Sequence, residues 1–240
     1  MNKKQKPKDF SALTPQETAK TIGEKLNFSG AEAYKLLRTN LSFSLPDESG
    51  CKVIGVTSSL RGEGKSTTSI NLGYTMAQAG KRVLLIEADM RIPSLSKYMR
   101  VKLKPGLSNL LAGQCSGADV LQRSGLMKDL WVLNAGDIPP NPAEMLGSRQ
   151  MAEAIEAMKT CFDVILVDLP PVTAVSDALI VSKLTHGMVV VVRQGYCDRK
   201  SLDETVRKLR FTESKILGFV MTGSEIQKKG YYKKYYKTTD

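Results

Sequence analysis

The chain has 240 residues, of which 42% are hydrophobic, and a formal net charge of +11. This size and composition are typical of one medium globular domain with flanking segments. Four scattered cysteines, none in a Cys-x-x-Cys pair, and a single histidine argue against a zinc site or a disulfide framework and fit a reducing compartment. No apolar run follows the basic start or approaches the ~18 residues of a membrane span, so we expect neither a signal peptide nor a transmembrane helix.

The positive charge is concentrated at the two ends of the chain. Residues 1–30 carry a net charge of +3 and residues 226–240 a net charge of +4, which leaves +4 for the rest. Basic flanks are typical of solvated segments or of attraction to an acidic membrane surface, whereas nucleic-acid binding favours a basic face on the domain itself. We expect a basic leader over residues 1–28, a folded domain over 29–225, a flexible tail over 226–240 and no nucleic-acid partner. Lysines that only keep the flanks soluble are the alternative.

Hydrophobic patterning predicts alternating strands and helices through the central part of the chain. After a helix "GAEAYKLLRTNLSFS", the order is strand "KVIGVTSS", helix "GKSTTSINLGYTMAQAG", strands "RVLLIEAD" and "LWVLNAG", helix "SRQMAEAIEAMKTC", strand "FDVILVDLPP", helix "SDALIVSKLTHG", strand "MVVVVRQG", helix "DRKSLDETVRKLRF" and strand "KILGFVMTG". Strands that are apolar throughout are buried on both faces. The pattern therefore predicts an α/β fold, with a doubly wound, mostly parallel sheet and helices on both faces.

A glycine-rich loop, "VTSSLRGEGKSTT", connects the first predicted strand to the next helix. Glycines let the backbone wrap closely, so that amide N–H groups and a helix N-terminus point at phosphate oxygens, and a lysine and a serine reach the phosphates and Mg²⁺. A chance glycine-rich turn is the alternative, because serine opens the motif where the strict pattern G-x-x-x-x-G-K-[ST] has glycine. We predict that the phosphates of a nucleotide bind to Ser59, Leu60, Arg61, Gly62, Glu63, Gly64, Lys65, Ser66 and Thr67.

Acidic residues stand at the ends of two further apolar strands. Glu87 and Asp89 lie in "LLIEADMR", and Asp168 ends "VILVD". Ligands bind at the carboxyl ends of the strands in such sheets, where a carboxylate holds Mg²⁺ directly or through water, or accepts a proton from a hydroxyl. We therefore predict a metal-assisted phosphoryl-transfer site here. For Asp168 alone, a structural strand-end cap is the alternative.

The tail contains four of the eight tyrosines of the chain: Tyr231, Tyr232, Tyr235 and Tyr236. Lysines interleave them and no apolar partner is nearby, so we expect this segment to be disordered. Because these tyrosines cannot pack into a hydrophobic core, their clustering in the tail indicates another role.

Five motifs and the tyrosine cluster together resemble the bacterial tyrosine kinases of capsule and exopolysaccharide synthesis, in their stand-alone cytoplasmic form. "EAYKLLRTN" is similar to the family's EAYRxLRTN helix, "TSSLRGEGKST" to its Walker A loop TSSxPGEGKST, and "PPNPAEMLGS" to its PPNPxELL segment. "LLIEADMR" resembles the second Walker motif, usually D-x-D-x-R, and "ILVDLPP" the Walker B stretch, usually DTPP. The resemblance implies the phosphate-loop NTPase fold of the deviant Walker subgroup.

The resemblance also implies a division of work within the site, with ATP and Mg²⁺ as cofactors. Lys65 and the loop amides would bind ATP, and Ser66 and Asp168 would hold Mg²⁺. Glu87 would lie near the metal in the first acid position, and Asp89 would orient or deprotonate a tyrosine hydroxyl.

The same resemblance implies that the tail is the substrate of a neighbouring subunit in a ring. The first helix would supply the subunit contacts, through Glu32, Lys35 and Arg38. The implied partners are the cytoplasmic end of a membrane activator of the polysaccharide chain-length regulator type, which would recruit the cytoplasmic kinase to the inner face of the membrane, and a phosphotyrosine phosphatase. A tail that only solubilises the chain is the alternative.

The chain departs from the family pattern at several positions, and two other functions stay open. A non-kinase ATPase switch of the septum-site or partition type shares the fold, but carries a lysine where this chain has Leu60. A weakly active scaffold relative is the third hypothesis, motivated by glutamate in place of the first aspartate of D-x-D-x-R. The departures are Lys35 for arginine, Arg61 for proline, Glu87 for aspartate, Leu169 for threonine and Thr222 for an asparagine often found close to the nucleotide base.

Overall fold

A computed structural model of the protein describes residues 21–45 and 50–224, so the four tail tyrosines and most of the basic leader lie outside the described residues. The strands are β1 (Lys52–Ser58), β2 (Val83–Glu87), β3 (Gln122–Arg123), β4 (Leu130–Leu133), β5 (Val164–Asp168), β6 (Gly187–Arg193) and β7 (Ile216–Thr222). A 3-10 helix spans Gly23–Lys25, and the α-helices are α1 (Phe28–Ser44), α2 (Lys65–Gln78), α3 (Leu95–Met99), α4 (Leu107–Leu111), α5 (Gly117–Val120), α6 (Pro142–Leu146), α7 (Arg149–Lys159), α8 (Asp177–Ser182) and α9 (Arg199–Phe211).

The strands form one sheet in the order β3-β4-β2-β5-β1-β6-β7. The neighbouring strands are parallel except for β3, which pairs with β4 in the antiparallel sense. The predicted doubly wound, mostly parallel sheet is confirmed. The short elements β3, α3, α4, α5 and α6 were not predicted, because two to five residues are too few to show a hydrophobic period.

Both faces of the sheet are covered by helices over its central strands, whereas the last strand, β7, leaves Phe219 and Met221 exposed at the edge of the sheet, so the predicted burial on both faces does not hold for β7. In β1, the neighbours Val53 and Ile54 are both fully buried but belong to different apolar clusters, because successive side chains of a strand point to opposite faces. Helices α7, α8 and α9 pack on the face of Val53, while α1 and α2 pack on the face of Ile54; their buried contacts include Ile155, Val181 and Leu209 on the first face and Leu41, Ile70 and Leu72 on the second.

Helix α1 carries the residues predicted to contact a neighbouring subunit. Arg38 turns inward, where its Nη1 donates to the carbonyl of Thr75 in α2 at 2.7 Å. Lys35 Nζ pairs with Glu32 Oε1 on the same helix at 2.7 Å, and both side chains are partly exposed. Arg38 therefore holds α1 on α2 within one chain, and the role of these three residues in assembly stays a prediction.

The parallel strands bring their carboxyl ends to one edge of the sheet. Glu87 at the end of β2 lies in register with Asp168 at the end of β5, and Val56 in β1 lies beside Asp168 on its other side. The phosphate loop begins just beyond this point of β1. The acids and the loop, which are far apart in the sequence, therefore meet at this edge.

Within residues 21–45 and 50–224, no helix is both long enough and apolar enough to cross a bilayer.

Candidate active site

Two glycines of the phosphate loop adopt left-handed backbone conformations. Gly62 has a φ of 83° and Gly64 a φ of 94°, values that a residue with a side chain rarely takes. Gly64 is the N-cap of α2, so the amide groups of the loop run directly into the helix N-terminus. The strand, loop and helix occur in the predicted order, which is the geometry that binds phosphate in proteins.

The side chain of Glu63 shapes the loop from inside the protein. It is fully buried, its Oε2 accepts from the N–H of Leu60 at 2.6 Å, and its Oε1 accepts from the N–H of Arg193 at 3.2 Å. The hydroxyl of Thr222 donates to the carbonyl of Glu63 at 2.6 Å. These bonds tie the loop to the ends of β6 and β7, a role that the sequence did not indicate.

The start of the loop is anchored to two other elements. Thr205 of α9 donates its hydroxyl to Ser59 Oγ at 3.0 Å, and Thr173 donates to the carbonyl of Ser59 at 2.5 Å. Arg61 and Gly62, at the outer turn of the loop, are exposed, and Thr67 is half-buried. The first half of the loop is therefore rigidly held, and its outer turn faces solvent.

Lys65 forms an ion pair with Asp89, at 2.8 Å from Nζ to Oδ2. Only 12% of the lysine side chain and 9% of the aspartate side chain are exposed. Burial disfavours the ammonium, but the charges of Asp168 and Asp89 outweigh this cost, so the pKa of Lys65 lies above its ordinary value. Lys65, the first residue of α2 after the loop, is consequently a positively charged group surrounded by carboxylates.

Asp168 is completely buried and only partly satisfied. Its Oδ1 accepts from the hydroxyl of Ser69 at 3.2 Å, and Ser66 also lies within hydrogen-bonding reach of the carboxylate. Its Oδ2 accepts no hydrogen bond from the part of the chain that the structure describes. Burial raises the pKa of Asp168, against the opposing effect of Lys65. A buried carboxylate oxygen with no partner is costly and calls for a cation.

These residues fit Mg²⁺ bound together with a nucleotide. Across residues 21–45 and 50–224, no three His, Cys, Asp or Glu side chains come together as a complete metal site. Mg²⁺ commonly takes one or two protein ligands and completes its shell with water and substrate phosphates. Ser66 and Asp168 match that pattern, and three carboxyl groups here share the single ammonium of Lys65.

Glu87 has a structural task that the sequence did not reveal. Its Oε1 accepts from the backbone N–H groups of Ser94 and Leu95, the latter at 2.6 Å, and its Oε2 accepts from the N–H of Ala135 at 3.3 Å. Burial raises the pKa of Glu87, although the N–H groups of Leu95 and Ser94 favour its charged form. The carboxylate thus joins the segments that follow β2 and β4, and its role as a metal neighbour stays a prediction.

The loop after β2 is held by a second carboxylate. Arg91 forms two hydrogen bonds with Asp177, Nε to Oδ2 at 3.0 Å and Nη2 to Oδ1 at 3.2 Å, and Asp177 is fully buried at the start of α8. Asp89 Oδ1 also accepts from the N–H of Ile92 at 3.2 Å. Sequence reasoning missed Asp177. The available signal was an acidic residue opening a predicted helix after the DLPP turn.

The structure therefore brings Lys65, Ser66, Asp89 and Asp168 together, as predicted, and adds Ser69, one helical turn beyond Ser66. The roles of these residues in catalysis and metal binding stay predictions. The proposed phosphoacceptors Tyr231, Tyr232, Tyr235 and Tyr236 lie outside the described residues.

Comparison with known proteins identifies the family. An AAA domain model matches residues 51–214. The chain is 38% identical to the tyrosine-protein kinase YwqD of Bacillus subtilis, over 88% of this chain and 87% of the relative. Among solved structures, the chimerical protein CapA2B2 superimposes with a TM-score of 0.80 at 31% identity, covering 85% of this chain and 89% of the other. The kinase domain of the Escherichia coli tyrosine kinase ETK gives a TM-score of 0.80 at 28% identity, covering 89% and 84%.

The matched region includes the phosphate loop, both strand-end acids and the Lys65–Asp89 pair. The relatives match over most of their own length, so the likeness is not confined to a shared nucleotide-binding module. The chain belongs to the family of bacterial tyrosine-protein kinases.

Proposed function

We propose that this kinase uses MgATP to phosphorylate the tyrosine cluster in the tail of a neighbouring copy, at Tyr231, Tyr232, Tyr235 and Tyr236. The observation that carries the proposal is the Lys65–Asp89 ion pair beside a buried Asp168 with an unpartnered oxygen, all at the mouth of a phosphate loop. Phosphoryl transfer depends mainly on positioning and charge neutralisation, and these side chains supply both.

Lys65 and the loop amides bind the β- and γ-phosphates of ATP. The ammonium stays charged when it leaves Asp89 for the phosphates, because anionic phosphate oxygens replace the carboxylate as its partner. Ser66 and Asp168 hold Mg²⁺, while Ser69 orients the Asp168 carboxylate by donating to its other oxygen. A bound Mg²⁺ neutralises charge on the phosphate oxygens during transfer.

Asp89 orients the incoming tyrosine and takes its proton. The phenol oxygen bonds to the γ-phosphorus, the bond between that phosphorus and the β–γ bridging oxygen breaks, and ADP leaves. The phenol proton moves to Asp89 Oδ2, the atom that Lys65 pairs with in the structure. Glu87 and Arg91 act as positioning residues, because they hold the loop on which Asp89 lies.

Tail phosphorylation would regulate assembly through charge. The tail carries a net charge of +4, and each phosphotyrosine adds about −1.5 to −2. Several phosphates therefore reverse the sign of the tail, and repulsion between tails favours dissociation of a ring. In this proposal a chain-length regulator in the membrane recruits the cytoplasmic kinase to the inner face of the membrane and activates it, a phosphatase resets the tails, and the cycle controls capsule or exopolysaccharide synthesis and export.

The decisive experiment incubates the purified chain with Mg²⁺ and ATP and locates phosphotyrosine by mass spectrometry. It is repeated with the chain fused to the cytoplasmic end of a chain-length regulator. We expect phosphate at residues 231–236 in the wild type and none in Lys65→Met. Lys159→Met, which alters a lysine that pairs with Glu156 on the outside of α7, serves as the matched control and should keep the wild-type level.

Transfer between copies is tested by mixing two chains, neither of which can phosphorylate its own tail. One is Lys65→Met with an intact tail, and the other is an active chain truncated after Gln227. Phosphate on the Lys65→Met tail supports transfer in trans. Phosphate found only outside residues 231–236, in the fusion as well as in the free chain, would remove the tail from the proposal.

A further inference from the structure

The phosphate loop has two chemically different flanks. One is the acid flank, formed by the ends of β2 and β5 with Asp89 and Asp168. The other, which we call the β6–β7 flank, consists of residues 193–197 and 222–223. Gln194 N–H donates to the carbonyl of Thr222 at 2.9 Å, so the two segments of this flank are joined. In the strand order, β5 and β2 lie on one side of β1 and its loop, and β6 and β7 lie on the other. An ATP molecule that has its terminal phosphates at the acid flank, as proposed above, would therefore have its nucleoside on the side of the β6–β7 flank.

Tyr196 is the large aromatic side chain of that flank. It is 44% exposed, unlike the buried tyrosine Tyr74. Its hydroxyl lies 3.8 Å from the position that a Cβ on Gly62 would occupy, so the ring stands directly beside the loop. An exposed aromatic ring beside a phosphate loop offers a surface on which a base can stack.

Arg193 covers one face of this ring. Its guanidinium carbon lies 5.2 Å from the ring centroid, and its Nη1 donates to the carbonyl of Gly62 at 3.3 Å. Only 6% of the arginine is exposed, so packing by the surrounding residues holds it in this position. The contact with Arg193 orients the ring, and the residue is nevertheless 44% exposed, so ring surface remains for a ligand, with a cation behind it that strengthens stacking.

Thr222, a polar side chain of this flank close to the loop, is already engaged. Its hydroxyl proton is donated to the carbonyl of Glu63 at 2.6 Å, and its methyl group lies 3.4 Å from the Cβ position of Gly64. Thr222 therefore packs against the loop and has no proton to donate to a base.

We propose that the adenine ring of ATP stacks on the ring of Tyr196, with Arg193 on the opposite face of the tyrosine. This inference rests on the proposed function, because it concerns the nucleoside end of the same ATP molecule. It assigns Tyr196 as a nucleotide-binding residue contributed by the loop between β6 and α9.

The test separates the nucleoside from the phosphates by comparing MgATP with magnesium tripolyphosphate in isothermal titration calorimetry. Removal of a stacking aromatic ring costs about tenfold in affinity, so Tyr196→Ala should bind MgATP about tenfold more weakly. Its affinity for tripolyphosphate should stay within about twofold, because the phosphate contacts remain. Tyr196→Phe should retain wild-type affinity for both ligands.

The matched control is Phe211→Ala, which removes an 89% exposed aromatic ring at the far end of α9, about 20 Å along the helix. It should bind both ligands like the wild type. Equal weakening of ATP and tripolyphosphate in Tyr196→Ala would make Tyr196 a support of the loop and overturn the inference. Unchanged ATP affinity in Tyr196→Ala, with loss in Lys65→Met, would overturn it and leave the proposed function standing. A wild type that binds no MgATP would overturn both.

Discussion

The two ends of β5 carry aspartates in opposite environments. Asp163, just before the strand, accepts from the backbone N–H of Arg82 at 2.8 Å and from its guanidinium at 3.0 Å, and these bonds lower the pKa of Asp163. Asp168, at the other end, is fully buried, one of its oxygens has no hydrogen-bond partner among the residues that the structure describes, and burial raises its pKa. The two carboxylates are five residues apart along the chain; the first is satisfied by protein hydrogen bonds, and the second has an oxygen that, in our proposal, a ligand satisfies.

This difference separates an edge of the sheet whose polar groups are paired from the edge at which we propose that the nucleotide binds. At the amino ends of the strands, the N–H of Asp163 also donates to the carbonyl of Arg82 at 2.9 Å. The side chains and the backbone groups of these two residues thus satisfy each other. At the carboxyl ends, the two like-charged carboxylates of Asp89 and Asp168 are buried together beside the ammonium of Lys65. Such an arrangement lowers stability and is retained where a ligand completes it.

Position at the functional edge does not alone make an acid functional. Glu87 is the direct neighbour of Asp168 in the sheet, yet three backbone N–H groups satisfy it. The two acids therefore differ in whether their carboxylate oxygens have hydrogen-bond donors, and not in their location. It can be tested by replacing each of the three carboxylates in turn.

The largest effect is expected for Asp168→Asn. Loss of the charge that holds Mg²⁺ should reduce tyrosine phosphorylation about 100-fold or more, by analogy with removal of one electrostatic group from an active site. Replacement of the buried charge by a neutral isostere should also raise the melting temperature of the nucleotide-free protein by about 2–4 °C, the shift that about 1 kcal/mol makes in a chain of this size. Kinase assays and differential scanning calorimetry measure the two quantities.

Asp163→Asn is the matched control for Asp168→Asn on the same strand. It should keep activity within about twofold of the wild type, because it lies at the opposite edge of the sheet. If Asp168→Asn retained activity, or if both variants lost it equally, the division between the two edges would be wrong.

Glu87→Ala is expected to lower the stability of the fold strongly without a specific loss of metal binding. Three backbone N–H groups lose their acceptor, and each buried donor left unpaired costs about 1–3 kcal/mol. The free energy of unfolding should fall by about 3 kcal/mol, measured by urea denaturation, and Glu87→Gln should recover most of it because its carbonyl oxygen still accepts. If Glu87→Ala unfolded like the wild type but lost Mg²⁺-dependent ATP binding, Glu87 would belong with Asp168.

The smallest effect concerns the stability contribution of Asp163. Its pKa is lower in the folded than in the unfolded chain, so the Arg82 contacts stabilise the fold above the ordinary carboxyl pKa of about 4. The stabilisation is lost as the pH falls through the lowered value. Asp163→Asn should therefore destabilise by less than about 1 kcal/mol at pH 7, and urea midpoints of variant and wild type should converge below about pH 4. A difference that grew in acid would contradict this assignment.

The sequence by itself determined the longer strands and helices and their order, but not the short elements between them. Apolar runs such as "VILVD" predict buried parallel strands because two covered faces require apolar side chains at every position. Strand-end acids and the loop before Lys65 predict a phosphate site, since parallel strands place their carboxyl ends together. These are local patterns, and each can be read without knowledge of distant contacts.

Only the tertiary structure decided which polar groups are satisfied. Glu87 and Asp168 both read as strand-end acids, and their difference depends on whether amides of residues 94, 95 and 135 reach one carboxylate and not the other. The pairing of Arg91 with Asp177 and the seat of Tyr196 beside Gly62 depend in the same way on loops distant in sequence. Hydrogen bonds act over about 3 Å, so their partners are set by the packing of the whole chain.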